Sequence, residues 1–461
     1  MQSNDGEPVQ IVPADLGKPA QAAGLLACLE AYARDPMGGG VPLPGDVSAR
    51  LIAGLKTAPY RIWLAEAAGQ IVGAAVCFDS YSTFRAQPRL NLHDLVVQPA
   101  WRRRGIGRQL LLAVIEHAPF GVIGAVTPVT HSLPTATGNA ISMIAAGNTV
   151  VFAPHPAAKR VSQLAVTRIN EAVVAAGGPD NVVVTVAEPN IETAQKLFRY
   201  PGINLLVVTG GEAVVNEARK HTDKRLIAAG AGNPPVVVDE TADIPRAARD
   251  IVYGASFDNN IICADEKEII VVDCVADQLK AEMKKNKAVE LTRAQADQLL
   301  PILLSKISPD GHGSVSRDWV GRDAAKIAAA IGLDVPADTR LLFVETEANH
   351  PFAVSELMMP VVPVIRAANA NEAIDLAVKL EGGCRHTAAM HSTNLDNLDR
   401  MANAINTSIF VKNGPCIAGL GFGGEGWTSM TISTPTGEGV THAASFVRLR
   451  RCVLVDHFRI V

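Results

Sequence analysis

The sequence predicts an α/β chain in which parallel sheets, buried on both faces, follow a smaller α+β unit built on an antiparallel sheet. Three observations support this. From residue 119 onward, apolar runs alternate regularly with helical stretches, the pattern of βαβ units. Before that point, RIWLAEAAGQIVGAAVCF (61–78) reads as two strands joined around Ala68-Gly69, a hairpin. A chain of 461 residues, 48% apolar and 19% charged, has room for several domains and a sizeable core.

In the short region, RLNLHDLVV (89–97) is a third strand, and GIGRQLLLAVIEHA (105–118) is an apolar-faced helix opened by glycines. Beyond 119, FGVIGAVTP is a strand, TATGNAISMIAAG a helix, NTVVFAP a strand and AAKRVSQLAVTRINEAVVAAG a long helix. NVVVTVAE, a helix around IETAQKLFRY, and INLLVVTG continue the series. Asp243 and Pro245 mark the start of the helix ARDIVYGASF. A second α/β series follows, from EIIVVDCVADQLKAEM through a helix near 291–305, DWVGRDAAKIAAAIG, TRLLFVETE and PVVPVIRAANANEAIDLAVKL. HTAAMHST, a helix near 395–405, SIFVKNGP, a Gly-rich loop at 419–426 and a terminal strand around VRLRRCVLVD close the chain. The expected divisions are 1–118, 119–257, 258–430 and 431–461.

Charge and composition remove several classes. A net charge of −4 gives no long-range attraction to nucleic acid or an anionic membrane. The N-terminus MQSNDGEPVQ is polar and acidic, unlike a secretory signal, and no run of about 18 apolar residues is long enough to span a membrane. Seven scattered cysteines without a CxxC pair, and histidines without ligand spacing, argue for a reducing, cytoplasmic setting and no bound metal.

Two stretches point to chemistry. FDNNIICADEKEII (257–270) places Cys263 after two asparagines and before a charged run. A cysteine in an apolar stretch is ordinarily core. This one has apolar neighbours on one side only, and the upstream amides suggest dipoles favouring a thiolate. INLLVVTGGEAVVNEARK (203–220) is a strand that ends in Thr209-Gly210-Gly211 and opens into a helix, which suits backbone binding of a phosphate-bearing ligand.

Taken with PFGVIGAVTPVTHSLPT, AAGNTVVFAPHP and SELMMPVVPVI, these stretches resemble the CoA-acylating branch of the aldehyde dehydrogenase superfamily, the propionaldehyde and acetaldehyde dehydrogenases, from about 119 to the C-terminus. The resemblance implies a Rossmann-type cofactor domain and an α/β catalytic domain, with NAD and coenzyme A as cofactors and a short aldehyde as substrate. It makes Cys263 the nucleophile, with its own N–H and Thr130 at the oxyanion. Thr127, Pro128, His155, Pro156, Thr209, Gly210, Gly211, Ala229, Gly230 and Glu356 become cofactor-binding positions, Glu356 at the nicotinamide ribose. One departure is informative. Hydrolytic members carry ELGGK, whose glutamate activates water. Here AAGAGNP (228–234) puts Ala228 in that place, which favours release by the thiol of CoA.

LHDLVVQPAWRRRGIGRQLL (92–111) resembles the acetyl-CoA motif of the GNAT acetyltransferases, over about residues 8–118. That resemblance assigns Val96, Val97, Arg102, Arg103, Arg104, Gly105, Ile106, Gly107 and Arg108 to an acetyl-CoA pyrophosphate and its arm. A GNAT domain continues past this helix with a strand, a tyrosine-bearing helix and a hairpin. Acylating dehydrogenases, in turn, place helices ahead of PFGVIGAVTP that help line the substrate tunnel and form oligomer contacts. Neither is recognisable here, nor is a microcompartment-targeting helix, so the junction near 118/119 resembles a splice of two partial domains. Three functions stand open: an NAD-dependent CoA-acylating aldehyde dehydrogenase, a GNAT-type N-acetyltransferase, or an inactive composite. A homo-oligomer also stays open.

Overall fold

The structure, a computed structural model, describes residues 8–36, 40–58, 60–82, 87–116 and 119–448. It forms two compact units. One comprises the residues to Gly121 with 146–148 and those from Phe446; the other comprises 122–145 and 149–445.

The first unit runs β1 (Gln10–Pro13), α1 (Pro19–Arg34), α2 (Gly45–Thr57), β2 (Tyr60–Ala67), β3 (Gln70–Ser82), β4 (Gln87–Val97) and α3 (Ile106–Glu116). Its antiparallel sheet has the order β1-β2-β3-β4. The expected hairpin is present, and Ala68 (φ 52°) and Gly69 (φ 69°) both take the left-handed conformation that a tight two-residue turn requires. Alternation along β2 feeds two cores. Ile62 and Leu64 pack with Leu25 and Leu29 of α1, while Trp63 and Ala65 pack with Ile106 and Leu110 of α3.

The second unit opens with β5 (Val122–Thr127), α4 (Ser132–Ala145), β6 (Thr149–Pro154), α5 (Lys159–Ala175), β7 (Val183–Thr185), α6 (Ile191–Arg199), β8 (Leu205–Thr209), α7 (Glu212–His221) and β9 (Arg225–Ala229). The strands are parallel in the order β7-β6-β5-β8-β9, so the sheet grows outward from β5 to β7 and reverses when β8 returns to the other side of β5. This doubly wound order leaves a crevice at the carboxyl ends of the strands.

A seven-stranded parallel sheet follows, built from β10 (Pro235–Val238), α8 (Ile244–Ala255), β11 (Glu268–Val272), α9 (Asp273–Lys285), β12 (Ala288–Glu290) and α10 (Arg293–Leu303). After the small hairpin β13 (Leu304–Ser305) and β14 (Ser314–Val315) come α11 (Ala324–Ala329), β15 (Leu341–Glu345), α12 (Pro351–Val354), β16 (Val361–Ala367), α13 (Ala370–Leu380), β17 (Thr387–His391), α14 (Leu395–Ile405) and β18 (Ile409–Lys412). The order is β12-β15-β16-β11-β10-β17-β18. Its central strands are mostly apolar, with Glu268 in β11 and Arg366 in β16 as exceptions, because helices cover both faces. α8 and α9 pack on one side, and α13 and α14 on the other. Asp243 caps α8, accepting the N–H of Arg246 at 3.2 Å, as the sequence implies.

A last pair, β19 (Ile432–Ser433) and β20 (Gly439–Val440), lies along β9. Thr436 Oγ1 accepts the N–H of Ala228 at 3.0 Å, and the hydroxyls of Thr431 and Thr209 meet at 2.9 Å, so this segment pins the end of the five-stranded sheet. The expected terminal strand falls from residue 449 outside the described residues, and Cys452 with it.

Candidate active site

The strand ends of the five-stranded sheet open into a cavity of about 910 Å³. Thr127 and Pro128 follow β5, His155 and Pro156 follow β6, Thr209-Gly210-Gly211 end β8, and Ala229 and Gly230 end β9. Each is placed there by one rule: loops at the carboxyl edge of a doubly wound sheet face the same crevice. Thr130, Cys263 and Glu356 line it from other segments. All twelve positions expected at the dehydrogenase site therefore meet in one cavity. Ala228 does not reach it. Its methyl is buried in the apolar core of the sheet, so the position supplies no oxygen to the cavity.

The cavity offers backbone and side-chain groups without partners. No side chain caps α7, and a Cβ built on Gly211 would meet nothing within 4 Å, so the approach to that helix N-terminus is open. The Thr127 hydroxyl is buried and unpartnered. His155 Nδ1 accepts the N–H of Ala157 at 3.1 Å, which leaves Nε2 as the ring's donor. Burial and the charge of Arg317 hold this imidazole below its ordinary pKa.

Cys263 sits past a tight turn at the end of α8. Asp258, Asn259 and Asn260 are consecutively left-handed, with φ of 45°, 54° and 61°. The two asparagines do not face the thiol as the sequence suggested. Asn259 Nδ2 donates to Gly321 O and Asp323 Oδ1, both at 3.0 Å. Asn260 Nδ2 donates to Ala255 O at 2.8 Å and Glu266 O at 2.9 Å. Their amides hold the turn, since side chains that bond locally make left-handed residues tolerable. Burial first, and the Glu356 carboxylate second, push the Cys263 thiol up to about 12, against an opposing pull from Lys267. Glu356 itself is raised to about 6, mainly by burial. The resting site thus holds a thiol beside a carboxylate of high proton affinity.

The charged run after Cys263 is not a solvated face. Asp265, Glu266, Lys267 and Glu268 are all buried. Lys267 Nζ donates to Asn260 O at 2.8 Å, Asn260 Oδ1 at 2.7 Å and Ile262 O at 3.0 Å. Glu266 Oε1 accepts the N–H of Cys416 at 2.8 Å, and burial raises its pKa to about 7. Glu268 accepts from Asn233 at 3.2 Å, and Asp265 from the N–H of Ile262 at 3.2 Å. Two buried imidazoles stand nearby. His131 is lowered to about 4 and His386 to about 3, both chiefly by burial. A Cβ on Gly232 would lie 2.8 Å from both Cys263 O and His386 Cγ, so the ring and the nucleophile's carbonyl close on that glycine. Sequence reading passed over Lys267, Asn233, Gly232 and His386. The one available signal was a four-residue charged run leading directly into the apolar strand EIIVV.

The residues assigned to acetyl-CoA lie in the first unit. Val96, Val97 and Ile106 are core side chains. Arg102 is engaged within the unit, pairing with Asp35 at 2.8 Å and donating to Val97 O at 3.1 Å. Arg104 stacks over the Trp101 ring at 4.8 Å. Arg103 (φ 67°) and Gly105 (φ 77°) shape the turn into α3, and Gly107 and Arg108 occupy its first turn. Among the described residues no cluster of His, Cys, Asp and Glu could hold a metal, and no helix is long and apolar enough to cross a membrane. None of the described cysteines is in a disulfide.

The fold and cavity define an α/β protein in which a cysteine loop opposes a dinucleotide-type crevice. The chain belongs to the aldehyde dehydrogenase family, whose model matches residues 65–298. It is 75% identical over 350 residues to an acetylating acetaldehyde dehydrogenase, EutE, of Salmonella typhimurium, covering 76% of this chain and 75% of that protein. It is 45% identical to a CoA-propanoylating propanal dehydrogenase of the same species, over 76% and 74% of the two chains. Among solved structures, a propionaldehyde dehydrogenase of Rhodopseudomonas palustris, holding CoA and an acylated cysteine, superposes with a TM-score of 0.69 at 48% identity, covering 73% and 76%.

Proposed function

We propose that the chain is an NAD-dependent, CoA-acylating aldehyde dehydrogenase that converts a short aldehyde, NAD and CoA to acyl-CoA and NADH, reversibly. The observation that carries this is Cys263 in the same cavity as the uncapped α7 N-terminus and the strand ends of the doubly wound sheet. The relatives' names describe the same overall reaction.

The residues present fit NAD. Gly210 and Gly211 leave room for a pyrophosphate at α7, and the Thr127 hydroxyl lacks a partner. His155 and Pro156 would border the adenosine ribose and Glu356 the nicotinamide ribose. When bound, NAD supplies the hydride acceptor. Cys263 must first lose its proton. Its sulfur then bonds to the aldehyde carbon while the carbonyl π pair moves to oxygen, where the Cys263 N–H and the Thr130 hydroxyl receive it. After oxidation the acyl group is a thioester on Cys263. The thiol of CoA displaces it and returns the cysteine. Ala228 offers no base for water, so thiolysis is favoured. On this reading 119–257 is the cofactor domain, 258–430 the catalytic domain and 431–461 a C-terminal segment of a cytoplasmic enzyme. NADH absorbance with aldehyde, NAD and CoA, together with the acyl mass on Cys263, tests the proposal. A turnover that leaves Cys263 unmodified would overturn it.

For residues 8–118 we keep the GNAT resemblance as a second reading, supported by the turn through Gly105 into α3 behind strand β4. It supports binding at most. FGVIGAVTP, the apolar run that next follows α3 in the sequence, contains the central strand β5 of the parallel sheet.

A further inference from the structure

We propose that Lys267 is a positioning residue that fixes and polarises the peptide between Ile262 and Cys263, the group whose N–H receives the oxyanion. This rests on the reading of Cys263 as nucleophile. Lys267 is 3% exposed, and its ammonium meets three converging acceptors, Asn260 O, Asn260 Oδ1 and Ile262 O, at 2.7–3.0 Å. Those three bonds use every N–H the ammonium has. Ile262 O and Cys263 N are the two ends of one conjugated peptide unit. A cation on the oxygen draws electron density from the nitrogen and makes the N–H a stronger donor, an effect that hydrogen-bond chains in low dielectric transmit.

The same ammonium locks the turn that aims this peptide. Asn260 is the last of three successive left-handed residues, and both its main-chain and side-chain oxygens are held by Lys267. Its amide nitrogen is tied to Ala255 O and Glu266 O, so the residue has no freedom to turn. Electrostatics act in the same direction. Glu356 and Asp265 push the Cys263 thiol up, and Lys267 is the cation that opposes them. The other groups facing this cation are Glu266, Glu268, His131 and His386, the last two held neutral by burial. A lysine that served only to neutralise buried carboxylates would not need to reach the Ile262 carbonyl.

The test uses the full chain with Lys267→Met and Lys267→Arg, each compared with the parent in two readouts that packing alone would not move. The first is the rate of iodoacetamide alkylation of Cys263 against pH, with exposed Cys274 as an internal reference. The second is the infrared carbonyl band of the ¹³C-labelled acyl-enzyme, which moves to higher wavenumber as the oxyanion donor weakens. Lys267→Met should slow Cys263 alkylation by about tenfold, one pH unit in thiolate population, with Cys274 unchanged, and should raise the carbonyl band. Lys267→Arg keeps the charge but its planar fork does not match three converging acceptors. It should alkylate within about threefold of the parent, a shift of under half a pH unit, yet still raise the band. Alkylation rates and carbonyl bands that match the parent in a folded variant would overturn the inference. So would loss of the fold in both variants, which would make Lys267 a stability residue only. A parent that alkylates at Cys263 but forms no acyl-enzyme would sink the proposed function instead, leaving the alkylation comparison to decide Lys267.

Discussion

Replacing Gly232 with alanine should damage the nucleophile loop more than any cofactor contact. The added Cβ would lie 2.8 Å from Cys263 O, 2.8 Å from His386 Cγ and 3.1 Å from His386 Cβ. Nonbonded carbon contacts are normally about 3.5–4.0 Å, so these neighbours must withdraw by roughly 0.5–1 Å. Neither gives way easily. One is backbone, and the other is a buried ring whose Nδ1 is held by Thr387 Oγ1 at 2.8 Å. Overpacking of this kind costs about 1–3 kcal/mol of stability. A displacement of about 1 Å at a reacting group costs on the order of 10²-fold in rate. We expect kcat to fall by about 10–100-fold on that basis, with a lower Tm, while KM for NAD stays near the parent value because Thr209-Gly211 is untouched. NADH absorbance under saturating aldehyde, NAD and CoA reads the first quantity, and differential scanning fluorimetry the second. Gly54→Ala on α2 is the control, since its Cβ meets nothing within 4 Å and a helix interior favours alanine by about 0.5–1 kcal/mol. Parental kcat in Gly232→Ala would mean that the Cys263 carbonyl is free to move without consequence, and that the closeness of loop, glycine and ring has no part in positioning sulfur.

Cys263→Ala should abolish aldehyde-dependent NADH formation while nucleotide binding, followed by fluorescence titration, stays within a few-fold of the parent; residual turnover would remove the cysteine from the mechanism. Release of the acyl-enzyme should be about 10²–10⁴-fold faster with CoA than with water, and equal rates with free acid as product would place the enzyme among hydrolytic relatives. Because the Glu356 carboxylate raises the Cys263 pKa, Glu356→Gln should speed iodoacetamide alkylation of Cys263 at pH 8 while weakening KM for NAD; slower alkylation would reverse the electrostatic assignment. Glu266 has a folded pKa of about 7 against an ordinary 4.5, so between those values the folded state binds more protons than the unfolded and stability falls as pH rises. His131, lowered to about 4, acts oppositely up to about pH 6.5, so the Glu266 effect stands out just above that pH. Urea midpoints from pH 6.5 to 7.5 should therefore decline in the parent and decline less steeply in Glu266→Gln, where the raised Asp265 and Glu268 still act in the same sense, and equal slopes would deny Glu266 its shifted pKa.

Most of the fold could be read in the sequence because it is strongly periodic. The apolar runs of β5, β6, β8 and β11 are long enough to stand out from the helices between them, and Ala68-Gly69 and Asp243-Pro245 announce their turn and cap. The strands β9 and β10 were harder to see. They are five and four residues long, and GAGNP separates them with glycines that read as loop. The cavity positions were legible for a similar reason, since each lies just past a recognisable strand or within a family motif. What the sequence could not show is the direction of short polar side chains. Asn259 and Asn260 stand next to the nucleophile in the chain, yet their amides turn back to Gly321, Asp323 and Ala255, because a left-handed turn reverses the side chains it carries. Gly232 looks like any loop glycine until His386, more than a hundred residues later, is brought against it.

The buried run from Asp265 to Glu268 explains why a charged segment can sit inside this enzyme. Desolvating one ion costs several kcal/mol unless partners compensate, so three carboxylates and one ammonium in sequence are not a device for stability. Several oxygens in the run remain unpartnered, among them Asp265 Oδ1, Glu266 Oε2 and Glu268 Oε2. Burial answers this by raising all three carboxyl groups, which favours their neutral forms over charged ones. The lysine is the exception, because its three bonds converge on the turn ahead of Cys263. The arrangement thereby concentrates one positive charge behind the nucleophile and spreads its counter-charges over groups that can be protonated. A hydrophobic replacement of the run would pack as well and remove the desolvation cost, but it would leave Asn260 and Ile262 carbonyls bare and the turn unheld. The charge belongs to the reaction, and the fold tolerates it.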